Sequence, residues 1–310
     1  MSISVEHISK EFGDQKALDD VSFSMKGGEV VGFLGPNGAG KSTMMKILTC
    51  FIPPTAGKAT VCGFDTRDAS IQVRKNVGYL PEHNPLYMDM FVREYLRFIA
   101  GLHGLDRKKE RIERMIDTVG LRPEIGKRID ALSKGYKQRV GLTQALIHEP
   151  EVLILDEPTS GLDPNQLSEI RDLIRDIGKE RTVLLSTHIM QEVEAICDRV
   201  IIVHQGRIVA DDPVKELRAK TGGQAAIQIE LDGAISPEEF ERIDGVEEAK
   251  PVGEHEWKLI VEEGKPVREK VFELAVERGM SVLTLHQESL PLEEVFKQLT
   301  QEVVDSSNNG

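Results

Sequence analysis

Short apolar runs alternate along this chain with longer stretches in which apolar residues recur every third or fourth position. Val30 to Leu34, 76–80, Val152 to Asp156 and 182–186 read as buried strands, and 2–8, 21–25 and 58–64 as further strands. Between them lie helical patterns at 42–49, 88–120 and 133–147, the second stopped by Gly120. A fourth helix opens on Asp163-Pro164, carries Ile170, Leu173, Ile174 and Ile177 on one face, and ends at Gly178. Val200–Val203 and Arg207–Ala210 form a hairpin around Gln205-Gly206. Strands alternating with helices predict an α/β fold with a central sheet.

Beyond residue 221 the period changes. Ile227, Ile229 and Leu231 alternate, Ser236-Pro-Glu-Glu239 predicts a capping box, strands follow at 246–251 and 256–261, then a helix to Gly279 and a strand at 282–285. The order βαββαβ predicts a ferredoxin-like α+β unit over 221–300, closed by a helix at 292–299, with 301–310 a disordered tail.

Between the strand at 30–34 and its helix lies Gly35-Pro36-Asn37-Gly38-Ala39-Gly40-Lys41-Ser42, the spacing G-x-x-x-x-G-K-[ST] of a phosphate loop. Glycines let the backbone turn successive N–H groups toward one anion, and the helix dipole adds to that field. Lys41 then reaches the terminal phosphates, Ser42 enters the coordination sphere of Mg²⁺, and Thr43 bonds a second phosphate. Asp156 and Glu157 end a buried strand, where open α/β sheets bind ligands. The pair is either a solvated strand end, or a cation ligand (Asp156) beside a group that orients or deprotonates water (Glu157). His188 follows the strand at 182–186 onto the same edge, and Glu82 follows that at 76–80. Phe12, in the loop between the first two strands, is either packing or a platform for adenine. Ser133 and Gly135 offer a hydroxyl and backbone N–H groups at a helix start.

The 310 residues carry a formal charge of -13, and 221–310 hold 8 Lys/Arg against 20 Asp/Glu, so the acidity is concentrated there. This argues against a nucleic-acid surface and disfavours direct lipid binding, both of which call for a basic face. Cys50, Cys62 and Cys197 show no metal spacing and read as small buried hydrophobes in a reducing compartment. With no run of about 18 apolar residues the chain is expected to be soluble, any membrane role coming through a partner.

The phosphate loop, Leu132-Ser133-Lys134-Gly135-Tyr136, Asp156-Glu157, Asp163 and His188 occur in the order and spacing of ATP-binding-cassette (ABC) ATPases, which residues 1–220 resemble throughout. The resemblance implies a P-loop NTPase with a mixed sheet and a helical subdomain at 83–147, and the cofactors ATP and Mg²⁺. It implies that Phe12 stacks on adenine, that residues 35–43 hold phosphate, that Asp156 supports Mg²⁺, that Glu157 is the general base and that His188 contacts the γ-phosphate. It further implies that Ser133, Gly135 and Asp163 act across a head-to-tail homodimer. Three positions depart from the family pattern: Lys134 and Tyr136 replace a glycine and the glutamine of the usual Leu-Ser-Gly-Gly-Gln, and Glu82 replaces a glutamine. As an anion Glu82 retains metal-binding oxygens but donates no amide hydrogen bond. These variants and the C-terminal extension look most like the ATPase subunits of ABC-2 type exporters, encoded with gliding-motility and multidrug-efflux systems. The expected protein is therefore cytoplasmic, peripheral on the membrane through integral permease subunits. The alternative is an ABC ATPase acting on ribosomes or DNA, which usually has two cassettes or a long coiled-coil insertion; neither a repeat nor sustained heptads occur here.

Overall fold

The apolar runs at 30–34 and 152–156 are buried at every position in the computed structural model, as strands covered on both faces must be. The structure describes residues 1–219, 224–262 and 264–289, in two compact units, Met1–Asp212 and Pro213–Gly310. The chain runs β1 (Ile3–Phe12), β2 (Gln15–Met25), β3 (Val30–Leu34), α1 (Lys41–Leu48), β4 (Ala56–Val61), β5 (Phe64–Asp65), α2 (Ser70–Asn76), β6 (Val77–Leu80), α3 (Val92–Leu102), α4 (Lys108–Thr118), α5 (Lys134–Leu146), β7 (Val152–Asp156), α6 (Pro164–Gly178), β8 (Thr182–Thr187), α7 (Met190–Ile196), β9 (Arg199–His204) and β10 (Arg207–Pro213).

Two sheets result. One has the order β2-β1-β4-β5 and is antiparallel. The other has the order β10-β9-β3-β8-β7-β6, with β3 parallel to β8 and β9, and β7 parallel to β6 and β8. Helix α1 touches strands of both and is buried nearly all round, with Met44, Met45, Ile47 and Leu48 at 0% exposure. Each such side chain contributes roughly 1.5–3 kcal/mol. That burial holds the helix, and with it the loop before its first turn.

Several elements differ from the sequence pattern. Phe12 is the last residue of β1, paired with Gln15, and not a loop residue: β1 continues through register shifts between Val5 and Glu11, where its bulged, polar stretch shows no alternation. The helical stretch at 88–120 is two helices, α3 and α4, parted by Gly104 (φ 61) and Arg107 (φ 49), both in the left-handed region. The strand expected at 58–64 ends at Val61, because Cys62 (φ 50) and Gly63 (φ 79) turn the chain into β5. Helices α2 and α7, each of seven residues, begin without a side-chain cap and carry no start signal in the sequence.

The second unit contains α8 (Val214–Ala219), β11 (Gln224–Leu231), α9 (Pro237–Glu241), β12 (Val246–Pro251), β13 (Glu256–Glu262), α10 (Val267–Glu277) and β14 (Val282–Ser289). Its sheet has the order β12-β13-β11-β14, antiparallel at each junction. Ile227, Ile229, Phe240, Trp257, Leu259 and Val271 form its core, with the Phe240 and Trp257 rings 5.4 Å apart. Ser236 precedes α9, but its side chain makes no cap bond to the helix; it bonds Glu238 instead, so the expected capping box does not form. The expected helix at 292–299 and the tail lie outside the described residues.

Candidate active site

Two glycines of the phosphate loop stand where the backbone is crowded. A Cβ on Gly35 would stand 2.4 Å from the Val203 carbonyl oxygen, and one on Gly40, at φ 106, would stand 2.5 Å from that of Ala17. Within this turn Lys41, 6% exposed, curls back so that Nζ donates to the carbonyls of Gly35 at 2.7 Å and Pro36 at 3.2 Å. The ammonium also lies 3.5 Å from Glu157 Oε1.

The acidic pair arrives on β7 and is fixed by its neighbour β8, whose Ser186 stands in register with Asp156. Asp156 is 3% exposed, and its Oδ1 accepts from Ser42 Oγ at 3.2 Å and from Ser186 Oγ. Glu157 sits at φ 50, a left-handed conformation that costs a residue with a Cβ about 1–3 kcal/mol. Its N–H donates to the Ser186 carbonyl at 3.1 Å. Its other carboxylate oxygen lies 2.9 Å from His188 Nδ1. One carboxylate thus bridges a lysine and an imidazole at the edge where both parallel strands end.

These groups open on a cavity of about 600 Å³ lined by Phe12, Asn37, Gly38, Gly40, Lys41, Ser42, Thr43, Glu82, Glu157 and His188. That volume falls within the range of small-molecule sites. Gln15, Ala17 and Ser160 also line it; no sequence signal marks them, beyond Ser160 following closely on Glu157. Phe12 is half exposed at the mouth, with Lys10 Nζ 5.0 Å from its ring centre. Burial, followed by the nearby Asp156 and Glu82 carboxylates, pushes the Tyr79 phenol well above its ordinary pKa. Among the described residues no group of three or more His, Cys, Asp or Glu side chains forms a ready-made metal cage. The Ser42 hydroxyl and Asp156 carboxylate, with Glu82 at the rim, are hard oxygen donors that suit Mg²⁺ held mainly by phosphate and water.

Residues 18–160 match the family described as ABC transporter. Over 215 residues the chain is 40% identical to the ABC transporter ATP-binding protein NatA of Bacillus subtilis, a match covering 67% of this chain and 87% of that protein. The chain belongs to the ABC transporter ATP-binding proteins. This cassette is also 40% identical over 222 residues to the probable multidrug ABC transporter ATP-binding protein YbhF of Escherichia coli K12, but spans only 38% of that relative's length. A solved ATP-binding subunit of an ABC transporter superposes with a TM-score of 0.65 at 32% identity, covering 72% of this chain and 94% of that one.

Not every expected residue of the cassette reaches the cavity. Gly35, Pro36 and Ala39 build the loop from behind, with Ala39 N–H donating to the Pro36 carbonyl at 3.2 Å. Ser133, Gly135 and Asp163 do not line it. Ser133 caps α5, accepting from Tyr136 N at 3.3 Å, and Asp163 caps α6, accepting from the N–H groups of Asn165 and Gln166 at 3.1 and 3.0 Å. The two helix starts pack together: a Cβ on Gly135 would stand 2.6 Å from the Gln166 side chain, and Lys134 Nζ lies over Gly161.

Proposed function

We propose that this chain is the ATP-hydrolysing subunit of an ABC-2 type exporter, acting as a homodimer on the cytoplasmic side of integral permease subunits. The observation that carries the reading is the contiguous Lys41–Glu157–His188 array at the floor of a glycine-built cradle. A triphosphate entering the cradle competes with Glu157 for Lys41, which leaves the carboxylate free to take a proton from water. His188 holds that carboxylate in place, and Phe12 offers its ring to the base. Mg²⁺, when bound beside Ser42 and Asp156, neutralises charge on the phosphate oxygens.

Placement supports the dimer. Ser133, Gly135 and Asp163 share one edge outside the cavity, so a second copy placed head to tail brings them to a triphosphate that their own chain does not. The permease contact is supported by Tyr87, Met88, Phe91, Phe98 and Leu102, which are 39–69% exposed within residues 83–120. Exposed apolar groups at this density mark interaction surfaces. Among the described residues no helix is long and apolar enough to cross a membrane, which fits a separate membrane partner. The transporter names of the relatives favour export over action on ribosomes or DNA. The Tyr79-Leu-Pro-Glu82 and Leu132-Ser-Lys-Gly-Tyr136 variants favour the ABC-2 class, and the strand order of the second unit supports a ferredoxin-like accessory role.

Phosphate release by the purified chain tests the chemistry. Glu157→Gln is expected to lower kcat by at least about 100-fold while ATP still binds. Equal turnover by both proteins would remove Glu157 as the base.

A further inference from the structure

Glu192, in the first turn of α7, is the most deeply buried acid of the first unit, at 0% exposure. Both carboxylate oxygens are satisfied by neutral hydroxyls: Oε1 accepts from Thr159 Oγ1, and Oε2 from Thr187 Oγ1 at 2.7 Å. Thr159 and Thr187 are themselves 2% and 0% exposed. Burying a carboxylate is costly, and a well-packed apolar residue generally serves stability as well. What an apolar residue cannot supply is a fixed link between the turn that holds Thr159 and the end of β8 at Thr187.

Those two segments adjoin the reacting groups. Thr159 stands two residues after Glu157, and Thr187 immediately precedes His188. The Thr187 hydroxyl also accepts from Ile189 N at 3.0 Å, so it grips the backbone on both sides of His188. With the 2.9 Å contact between His188 and Glu157 the circuit closes: Glu192, Thr159, Glu157, His188, Thr187 and back to Glu192. Glu157 is the member at positive φ, a conformation that persists only where its surroundings impose it.

We propose that Glu192 is a positioning residue for hydrolysis, a buried clamp that holds the Glu157 backbone and the His188 loop in mutual register through Thr159 and Thr187. The inference rests on the hydrolytic reading above. It assigns Glu192 no contact with nucleotide, so its loss acts on turnover and not on ATP affinity.

The test compares Thr159→Val, which deletes one arm of the clamp at nearly constant volume, with Thr159→Ser, which keeps the hydroxyl. Thr143→Val serves as the measure of general destabilisation, since it removes a buried hydroxyl bonded to the Arg139 carbonyl at 2.7 Å on α5. Thr159→Val is expected to lower kcat roughly 10- to 100-fold with KM for ATP within about twofold, the scale of one hydrogen bond to a charged group. Thr159→Ser should restore most of it, and Thr143→Val should leave kcat near wild type. In the nucleotide-free full chain, hydrogen exchange at the Glu157 amide and through 158–162 should accelerate roughly 10-fold or more in Thr159→Val, and not in Thr159→Ser. If Thr159→Val and Thr143→Val slow turnover alike, or if exchange around Glu157 stays at the wild-type rate in Thr159→Val, the clamp is refuted. Absence of phosphate release from the wild type would instead overturn the hydrolytic reading, and the exchange comparison would still decide the clamp.

Discussion

Replacing Gly40 by alanine adds one methyl group at a crowded point of the phosphate loop, and the structure allows its cost to be separated into two parts. Gly40 has φ 106, and its Cβ would meet the Ala17 carbonyl oxygen at 2.5 Å and Leu18 Cδ2 at 2.8 Å. Gly38 has φ 83, yet nothing lies within 4 Å of its Cβ position. Gly38→Ala therefore carries the conformational penalty alone, about 1–2 kcal/mol. Gly40→Ala adds a collision with main chain, which cannot swing aside as the end of a side chain can; overpacking of this kind costs about 1–3 kcal/mol more. For a unit of this size each kcal/mol shifts the melting temperature by roughly 2–4 °C. Gly38→Ala should thus melt about 2–8 °C below wild type, and Gly40→Ala roughly 2–12 °C below Gly38→Ala. Calorimetry on the three proteins, with fluorescent-nucleotide titrations alongside, reads both quantities. Equal melting of the two variants would refute the view that crowding against β2, and not backbone freedom alone, requires glycine at position 40.

Two further outcomes follow from particular side chains. Phe12→Ala should weaken ATP binding by about 1–3 kcal/mol, the scale of base stacking on an aromatic ring, with little change in melting because the ring is half exposed; unchanged affinity in a nucleotide titration would return Phe12 to a packing role. His148 stacks on His103 at 4.2 Å, its Nε2 lies 3.0 Å from the Val77 carbonyl, and burial, then the neighbouring His103, lowers its pKa to about 4. Because the folded pKa is depressed below the unfolded value near 6.5, the unfolded chain binds the proton first. The stability this provides is therefore complete above about pH 6.5 and is lost as pH falls toward 4. Urea unfolding of wild type against His148→Leu across that window should show wild type losing about 2–3 kcal/mol more; parallel pH profiles would contradict it.

How far the sequence disclosed this protein depends on the range of the interactions involved. β3, β7 and the phosphate loop were legible because burial on both faces leaves an unbroken apolar run, and because phosphate binding demands glycine at fixed spacing. Asp156, Glu157 and His188 were legible as strand ends on one sheet edge, although their contacts with Ser42, Lys41 and Ser186 depend on the order of the strands. Three features left no local trace. β1 runs on to Phe12 through a polar, bulged stretch, and its partner β2 brings Gln15 and Ala17 to the cavity only by tertiary packing. The turn at Cys62-Gly63 places a cysteine where a left-handed residue is usually Asn, Asp or Gly. Glu192 in isolation reads as a helix-surface acid, and its burial depends on two threonines 33 and 5 residues away.

In the proposed dimer, Ser133 and Gly135 of a second copy complete the nucleotide site. Size-exclusion chromatography with light scattering on the Glu157→Gln chain, with and without ATP and Mg²⁺, measures it most directly. A monomer is expected without nucleotide and a dimer with it, the dimer being lost again when Ser133→Arg is added. A chain that binds ATP yet keeps the same mass under both conditions would contradict the proposed dimer.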